Sequence, residues 1–157
     1  LLAATPTEAF ALLDRFLPHV DNWATCDLVR VPTFRRDLPA VLAKIREWTA
    51  AEGPATEYVV RFGVVQLMEL FLGDAFEPWQ LALVARIERP EYYVNMARAW
   101  YFSFALLKQP KETLPIFERR PGAPALDDWT HNRALQKARE SRRAAPEDRK
   151  LFQSLKV

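Results

Sequence analysis

A tryptophan, an aspartate and an arginine stand close together near the start of the chain. Trp23, Asp27 and Arg30 are four and three residues apart, so a helix would place them on one face and turn Leu28 toward the core. Burial of an indole is favourable, so an aromatic ring displayed beside a carboxylate indicates a cationic or planar ligand. Alternatively, Trp23 covers a neighbouring repeat while Asp27 and Arg30 form a surface ion pair.

Two further side chains are unusual in their local sequence. Arg61 is the only charged residue in the apolar stretch 58–68, so it requires a partner or an opening to solvent. Glu57, one helical turn earlier, is the simplest partner. Trp100 shares its helical face with other large apolar residues, and this periodicity by itself favours a core stripe.

The remaining candidates for chemistry are few. One cysteine excludes a disulfide framework and a multi-cysteine metal site, and Cys26 has no thiolate-stabilising neighbour, which favours a small buried residue. His19 and His131 are too isolated to form a metal pair. No phosphate-binding glycine loop, nucleophile elbow or membrane-spanning run is visible. We therefore expect neither metal nor cofactor, and a cytoplasmic monomer.

The charge is unevenly distributed along the chain. Residues 119–157 hold 10 Lys and Arg against 5 Asp and Glu, whereas residues 1–118 hold 12 against 15. This asymmetry indicates an anionic partner near the C-terminal third, and the helix carrying Arg133 and Lys137 is the best candidate for a phosphate-facing surface. The alternative is a helix face that is merely solvated.

The elements that position these residues are all predicted to be helical. With 157 residues the chain is expected to form one domain, and 4 Gly against 12 Pro suits proline-started helices. Thr5 to Glu8 form a capping box, and Asp21 can cap a second helix that ends at Val31. Prolines bracket a short, distorted turn of helix at 110–115. The predicted helices are 6–17, 21–31, 38–48, 56–72, from about 78, from about 90, 127–144 and 146–155.

The helix starts also repeat. An acidic residue precedes a bulky one at 21, 57, 91 and 127, which gives spacings of 36, 34 and 36 residues. Such a period in helical sequence is typical of stacked helix pairs, whose concave side is the usual binding surface. A plain helical bundle can produce the same spacing by chance.

Four motifs in order resemble a known family. The segments are 21–27 (DNWATCD), 58–62 (YVVRF), 92–100 (YYVNMARAW) and 126–132 (LDDWTHN). Together they resemble the bacterial DNA alkylation repair proteins related to the AlkD-type glycosylases, over nearly the whole chain. The resemblance implies an all-α, HEAT-like helical-repeat solenoid, an α-α superhelix that holds duplex DNA in a concave groove. It also implies that 1–157 is a single domain lacking N-terminal helices of the longer family chain.

The resemblance assigns roles to particular residues. Trp23 and Trp100 would be aromatic walls and Asp27 the catalytic carboxylate, which reverses the core interpretation of Trp100. Arg61 would contact the DNA backbone. Ser103 stands where the family often has a further arginine, so this chain lacks the side chain for one backbone contact. The further DNA contacts implied by the motifs and the basic helix are Arg30, His131, Arg133 and Lys137.

The implied activity is excision of positively charged alkylated purines, such as 3-methyladenine and 7-methylguanine, from double-stranded DNA. Positive charge moves onto the sugar as the glycosidic bond breaks, and a fixed carboxylate stabilises that transition state. Two other functions are compatible with the residues. One is a non-catalytic protein that binds distorted or branched DNA, and the other is a helical-repeat scaffold that binds a protein.

Overall fold

A computed structural model describes residues 4–157, and this part of the chain is all-helical, without a strand. It contains nine α-helices and two short 3-10 helices, Leu17–His19 and Pro32–Arg36. The α-helices are α1 Pro6–Phe16, α2 Trp23–Leu28, α3 Leu38–Thr49, α4 Glu57–Phe71, α5 Trp79–Ala85, α6 Tyr92–Lys108, α7 Pro110–Phe117, α8 Asp128–Glu140 and α9 Pro146–Ser154. No helix within 4–157 has the length and apolar character needed to cross a bilayer.

Side-chain caps mark four of the helix starts, those of α1, α2, α3 and α8. Thr5 and Glu8 form the expected capping box of α1, and the carboxylates of Asp37 and Asp127 accept hydrogen bonds at the starts of α3 and α8. The start of α2 differs from the prediction, because Asn22 and not Asp21 is its cap. The helix starts that the sequence pattern predicted are therefore confirmed to within two residues.

Two helices differ from the sequence-based expectation in length or form. The prediction that α2 runs to Val31 is wrong, because the helix ends at Leu28 and Val29 is already extended. Leu28 does not face the core: it is 77% exposed. The proline-bracketed segment is helical as expected but longer than one turn: it is the eight-residue helix α7, which contains Pro115.

The chain divides into two compact units, Leu1–Leu70 and Phe71–Val157. In the first unit an aromatic cluster joins α1, α3 and α4: the Trp48 ring lies 6.0 Å from Phe10 and 5.2 Å from Phe62. Gly63 permits this close packing, because a Cβ there would lie 2.9 Å from the Thr49 side chain. The core of this unit therefore fixes α4 tightly against α3.

In the second unit α6 is the central helix and packs against α5, α7 and α8, while α9 packs against α8. Its buried side includes Tyr101 and Phe102, and Phe102 contacts Phe117 of α7 at 6.2 Å between ring centroids. The opposite side of α6, which carries Trp100 and Phe104, is only half-buried. The prediction that this aromatic stripe belongs to the core is therefore wrong.

Candidate functional site

Trp23 is the first residue of α2, and its indole is 50% exposed. The Asn22 side chain accepts a hydrogen bond from the Thr25 backbone at 2.8 Å, which fixes where the helix begins. Trp23 therefore lies one helical turn before Asp27 on an ordered element. The half-exposed indole and the carboxylate are thus one turn apart on the same short helix.

Asp27 and Arg61 form the strongest ion pair near this indole. Arg61 donates from Nε to Oδ1 at 2.9 Å and from Nη2 to Oδ2 at 2.6 Å. The arginine side chain is 6% exposed and that of the aspartate 15%. Two parallel charge-assisted bonds of this kind fix both the position and the plane of a carboxylate. Asp27 of α2 is therefore a partner of Arg61 in the apolar helix, 34 residues away along the chain.

Cys26 lies next to this pair but has the properties of a structural residue. It is buried, and its thiol donates to the Tyr58 carbonyl oxygen at 3.6 Å. Burial, and secondly the neighbouring negative charge of Asp27, raises the pKa of the thiol to about 12. A thiol with this pKa is protonated near neutral pH, which confirms the interpretation of Cys26 as a small buried residue and not a nucleophile.

Arg30 lies beyond the end of α2, so the prediction that it continues the helical face of Trp23 and Asp27 is wrong. Its side chain nevertheless contacts Asp27, because the guanidinium donates to the backbone carbonyl oxygen of that residue. It also lies 3.6 Å from a carboxylate oxygen of Glu69. In the first unit Asp27 thus contacts two arginines: Arg61 on its carboxylate and Arg30 on its backbone carbonyl oxygen.

Trp100 lies in the second unit, where it lines an open cavity of about 240 Å³. Phe104 and Ser103 continue this wall along α6, while Lys137 and Glu140 supply the facing charges from α8. The structure therefore brings together two predicted site residues, Trp100 and Lys137. Ser103 donates its hydroxyl to the Trp100 carbonyl oxygen at 2.7 Å, so this side chain is occupied within its own helix.

Of the other basic-helix candidates, one is at the surface and one is not. The guanidinium of Arg133 lies 5.5 Å from the centre of the Trp129 ring. His131 is 1% exposed, with Nε2 2.9 Å from the Leu155 carbonyl oxygen and its ring against Phe117. The expectation that His131 contacts DNA conflicts with this placement, because almost the whole residue is buried.

A second arginine–aspartate pair was not recognised in the sequence. Arg98 is buried in α6, donates to Asp127 at 3.0 Å and also bonds the carbonyl oxygens of Val84 and Ala85. Burial raises the pKa of Asp127, but hydrogen bonds from the Thr130 backbone and side chain, and the charge of Arg98, lower it below its usual value overall. A lone charge in an apolar helix was available as the signal, as it was for Arg61.

Comparison with protein-family models, curated proteins and solved structures finds no match to this chain. Within residues 4–157 no group of three or more His, Cys, Asp or Glu side chains is placed to hold a metal ion.

Proposed function

We propose that the protein is a DNA glycosylase that excises positively charged alkylated purines from duplex DNA, as the resemblance to the AlkD-type proteins implies. The observation that carries the proposal is the half-exposed Trp23 beside a carboxylate that Arg61 holds in one orientation. We also propose that the helix starts at 23, 57, 92 and 128 mark repeats of a HEAT-like solenoid.

Each residue has a defined part in this reaction. A cationic alkylpurine is already a good leaving group, and its positive charge is transferred to the sugar as the bond to the base breaks. Asp27 stabilises that developing charge, and the fixed orientation means that little reorganisation is needed at the transition state. The indole of Trp23 attracts the cationic lesion, by about 0.5–2 kcal/mol. The role of Trp100 as an aromatic wall rests on the resemblance alone.

Arg61 acts in this proposal through Asp27. Its guanidinium is buried and both carboxylate oxygens of Asp27 are bonded to it, so it positions the catalytic group instead of contacting the DNA backbone as the resemblance alone implied. The surface cations Arg133 and Lys137 are the candidates for phosphate contacts. Arg30 is also exposed enough to reach a phosphate.

The activity is tested by incubating the protein with duplex DNA that contains 7-methylguanine and measuring the free base. We expect Asp27→Asn to slow base release by about 100-fold or more, as removal of one preorganised electrostatic contact does in other enzymes. Asp21→Asn is the matched control, because Asp21 is an exposed acid in the same motif. Base release by Asp27→Asn at the rate of Asp21→Asn would refute the assignment.

A second variant separates loss of chemistry from loss of folding. Trp23→Ala removes a half-exposed ring without breaking the ion pair, so we expect an unchanged melting temperature and base release slower by about tenfold. Trp79→Ala removes an indole that is 39% exposed elsewhere in the chain and should leave release unchanged. Equal rates for the two variants would show that Trp23 does not contact the lesion.

The non-catalytic alternative remains a second candidate, because the excess of basic residues in 119–157 favours DNA binding without requiring excision. It predicts salt-dependent binding that Asp27→Asn leaves unchanged or strengthens, since only a negative charge is removed. Binding with this salt dependence, together with no release of alkylated base by the unaltered protein, would select it.

A further inference from the structure

An exposed aromatic cluster lies at the adjacent starts of α6 and α8, and the proposed chemistry does not use it. Tyr92 is 54% exposed and Trp129 is 40% exposed, with ring centroids 5.8 Å apart. The Tyr93 ring contacts Tyr92 from another direction at 5.2 Å, nearly perpendicular to it. Exposure of two large rings in one place is unfavourable in water unless a ligand covers them.

The cluster is held in place and is not a pair of loose side chains. Tyr92 makes edge-type contacts with two rings, and the Arg133 guanidinium lies 5.5 Å over the indole of Trp129. Such contacts restrict the rotamers of all these side chains before any ligand arrives. A ring that is fixed by its neighbours and more than half exposed offers a preformed flat surface.

The charges around the cluster favour an anionic ligand. A cavity of about 250 Å³ beside Trp129 is lined by Arg133 and Lys156, together with Asn132. Asp128 lines the same cavity, but its carboxylate forms an ion pair with Arg119. A flat aromatic surface next to cations matches a nucleobase attached to its phosphate, since base stacking and phosphate neutralisation then occur together.

We propose that Tyr92, supported by Trp129, stacks an unpaired nucleobase of DNA while Arg133 and Lys156 contact the adjoining phosphates. This inference rests on the proposed function, because the unpaired base would belong to the DNA that the glycosylase binds. Stacking tolerates any base. The aromatic cluster, which we call the stacking platform, therefore discriminates unpaired from paired strands and not one sequence from another.

The test compares two fluorescently labelled probes of equal length, oligo-dT and an oligomer of abasic sugar-phosphate units, by fluorescence anisotropy. We expect the unaltered protein to bind oligo-dT about tenfold more tightly, and Tyr92→Ala to remove that preference. Tyr92→Phe should retain it, because stacking needs the ring and not the hydroxyl. Arg133→Gln should lower the affinity for both probes by a similar factor and reduce the salt dependence of binding.

Matched controls and a separate activity measurement complete the experiment. Trp79→Ala should preserve the preference for oligo-dT, and the melting temperatures of all variants verify that they are folded. Equal affinity for the two probes, failure to bind either, or a preference that survives in folded Tyr92→Ala and Trp129→Ala would each overturn the proposal.

Release of 7-methylguanine is measured on the same variants. A Tyr92-dependent preference in a protein that releases no base would refute the glycosylase and retain the platform. Base release without any Tyr92-dependent preference would support the glycosylase and refute the stacking role of Tyr92.

Discussion

Replacement of Arg61 by Met removes a buried guanidinium and leaves Asp27 without the partner that binds both of its carboxylate oxygens. The Arg61 side chain is 6% exposed and that of Asp27 is 15% exposed. Water can therefore replace only some of the hydrogen bonds that the carboxylate loses. Breaking a buried ion pair by removing one partner costs about 3–5 kcal/mol. Because some water reaches Asp27, we expect a loss near the lower end, about 3 kcal/mol.

The double variant separates the ion pair from the other contacts of each residue. Asp27→Leu alone leaves the buried arginine without its carboxylate and should also cost about 3 kcal/mol. In Arg61→Met/Asp27→Leu no unpaired charge remains, so the total loss should be about 1–2 kcal/mol, well below the sum of the single losses. The pair would then have a coupling energy of about 4 kcal/mol.

The free energy of unfolding is measured by urea titration, followed by circular dichroism and tryptophan fluorescence. For a chain of this size each single variant should also lower the melting temperature by about 6–12 °C. Arg119→Gln is the control, because its ion pair with Asp128 is at the surface and should contribute less than about 1 kcal/mol. Additive losses in the double variant would refute the reasoning that the pair acts as one buried unit.

Three further predictions concern single residues. Tyr101→Phe should leave stability unchanged or raise it by about 1 kcal/mol in urea titration, because the buried hydroxyl has no hydrogen-bond partner among residues 4–157; a large loss would contradict this. Gly63→Ala should lower the melting temperature, at a cost of about 1–3 kcal/mol, because the new Cβ would meet Thr49 at 2.9 Å; Gly73→Ala, with open space around it, is the control. The pKa of Asp127 is lower in the folded protein than its ordinary value of 3.8. The ionised Asp127 carboxylate therefore contributes to the free energy of unfolding above pH 3.8, and this contribution is lost as the pH falls through the folded-state pKa. The free energy of unfolding of Asp127→Asn should therefore depend less on pH below about pH 4 than that of the unaltered protein. The same pH dependence in both proteins would contradict the lowered pKa of Asp127.

The sequence predicted the helices well because their starting signals are local. A capping side chain and the helix it begins are within three residues of each other, as with Thr5 and Glu8 or Asp127 and Thr130. The end of α2 was predicted less well, because the helix stops at Leu28 without a glycine or an immediately following proline to mark the position. Leu28 consequently does not turn toward the core as expected.

The candidate site was predicted in its residue types but not in its contacts. The spacing of Trp23 and Asp27 within one helical turn is a local property and was readable from the sequence. The bond between Arg61 and Asp27 joins residues 34 positions apart, so the nearer Glu57 was an equally reasonable partner before the structure was known. His131 shows the opposite error, since its position beside basic residues gave no indication that α9 and Phe117 bury its ring.

The order of helices, their caps and the presence of isolated charges in apolar stretches were determined by the sequence alone, because periodicity and capping act over one or two turns. Which side of α6 is buried was decided only by tertiary packing. Both faces of that helix carry large apolar residues, so periodicity could not choose between the side of Phe102 and the side of Trp100. Contact with α7 and α8 buried Phe102 and left Trp100 at the edge of an open cavity.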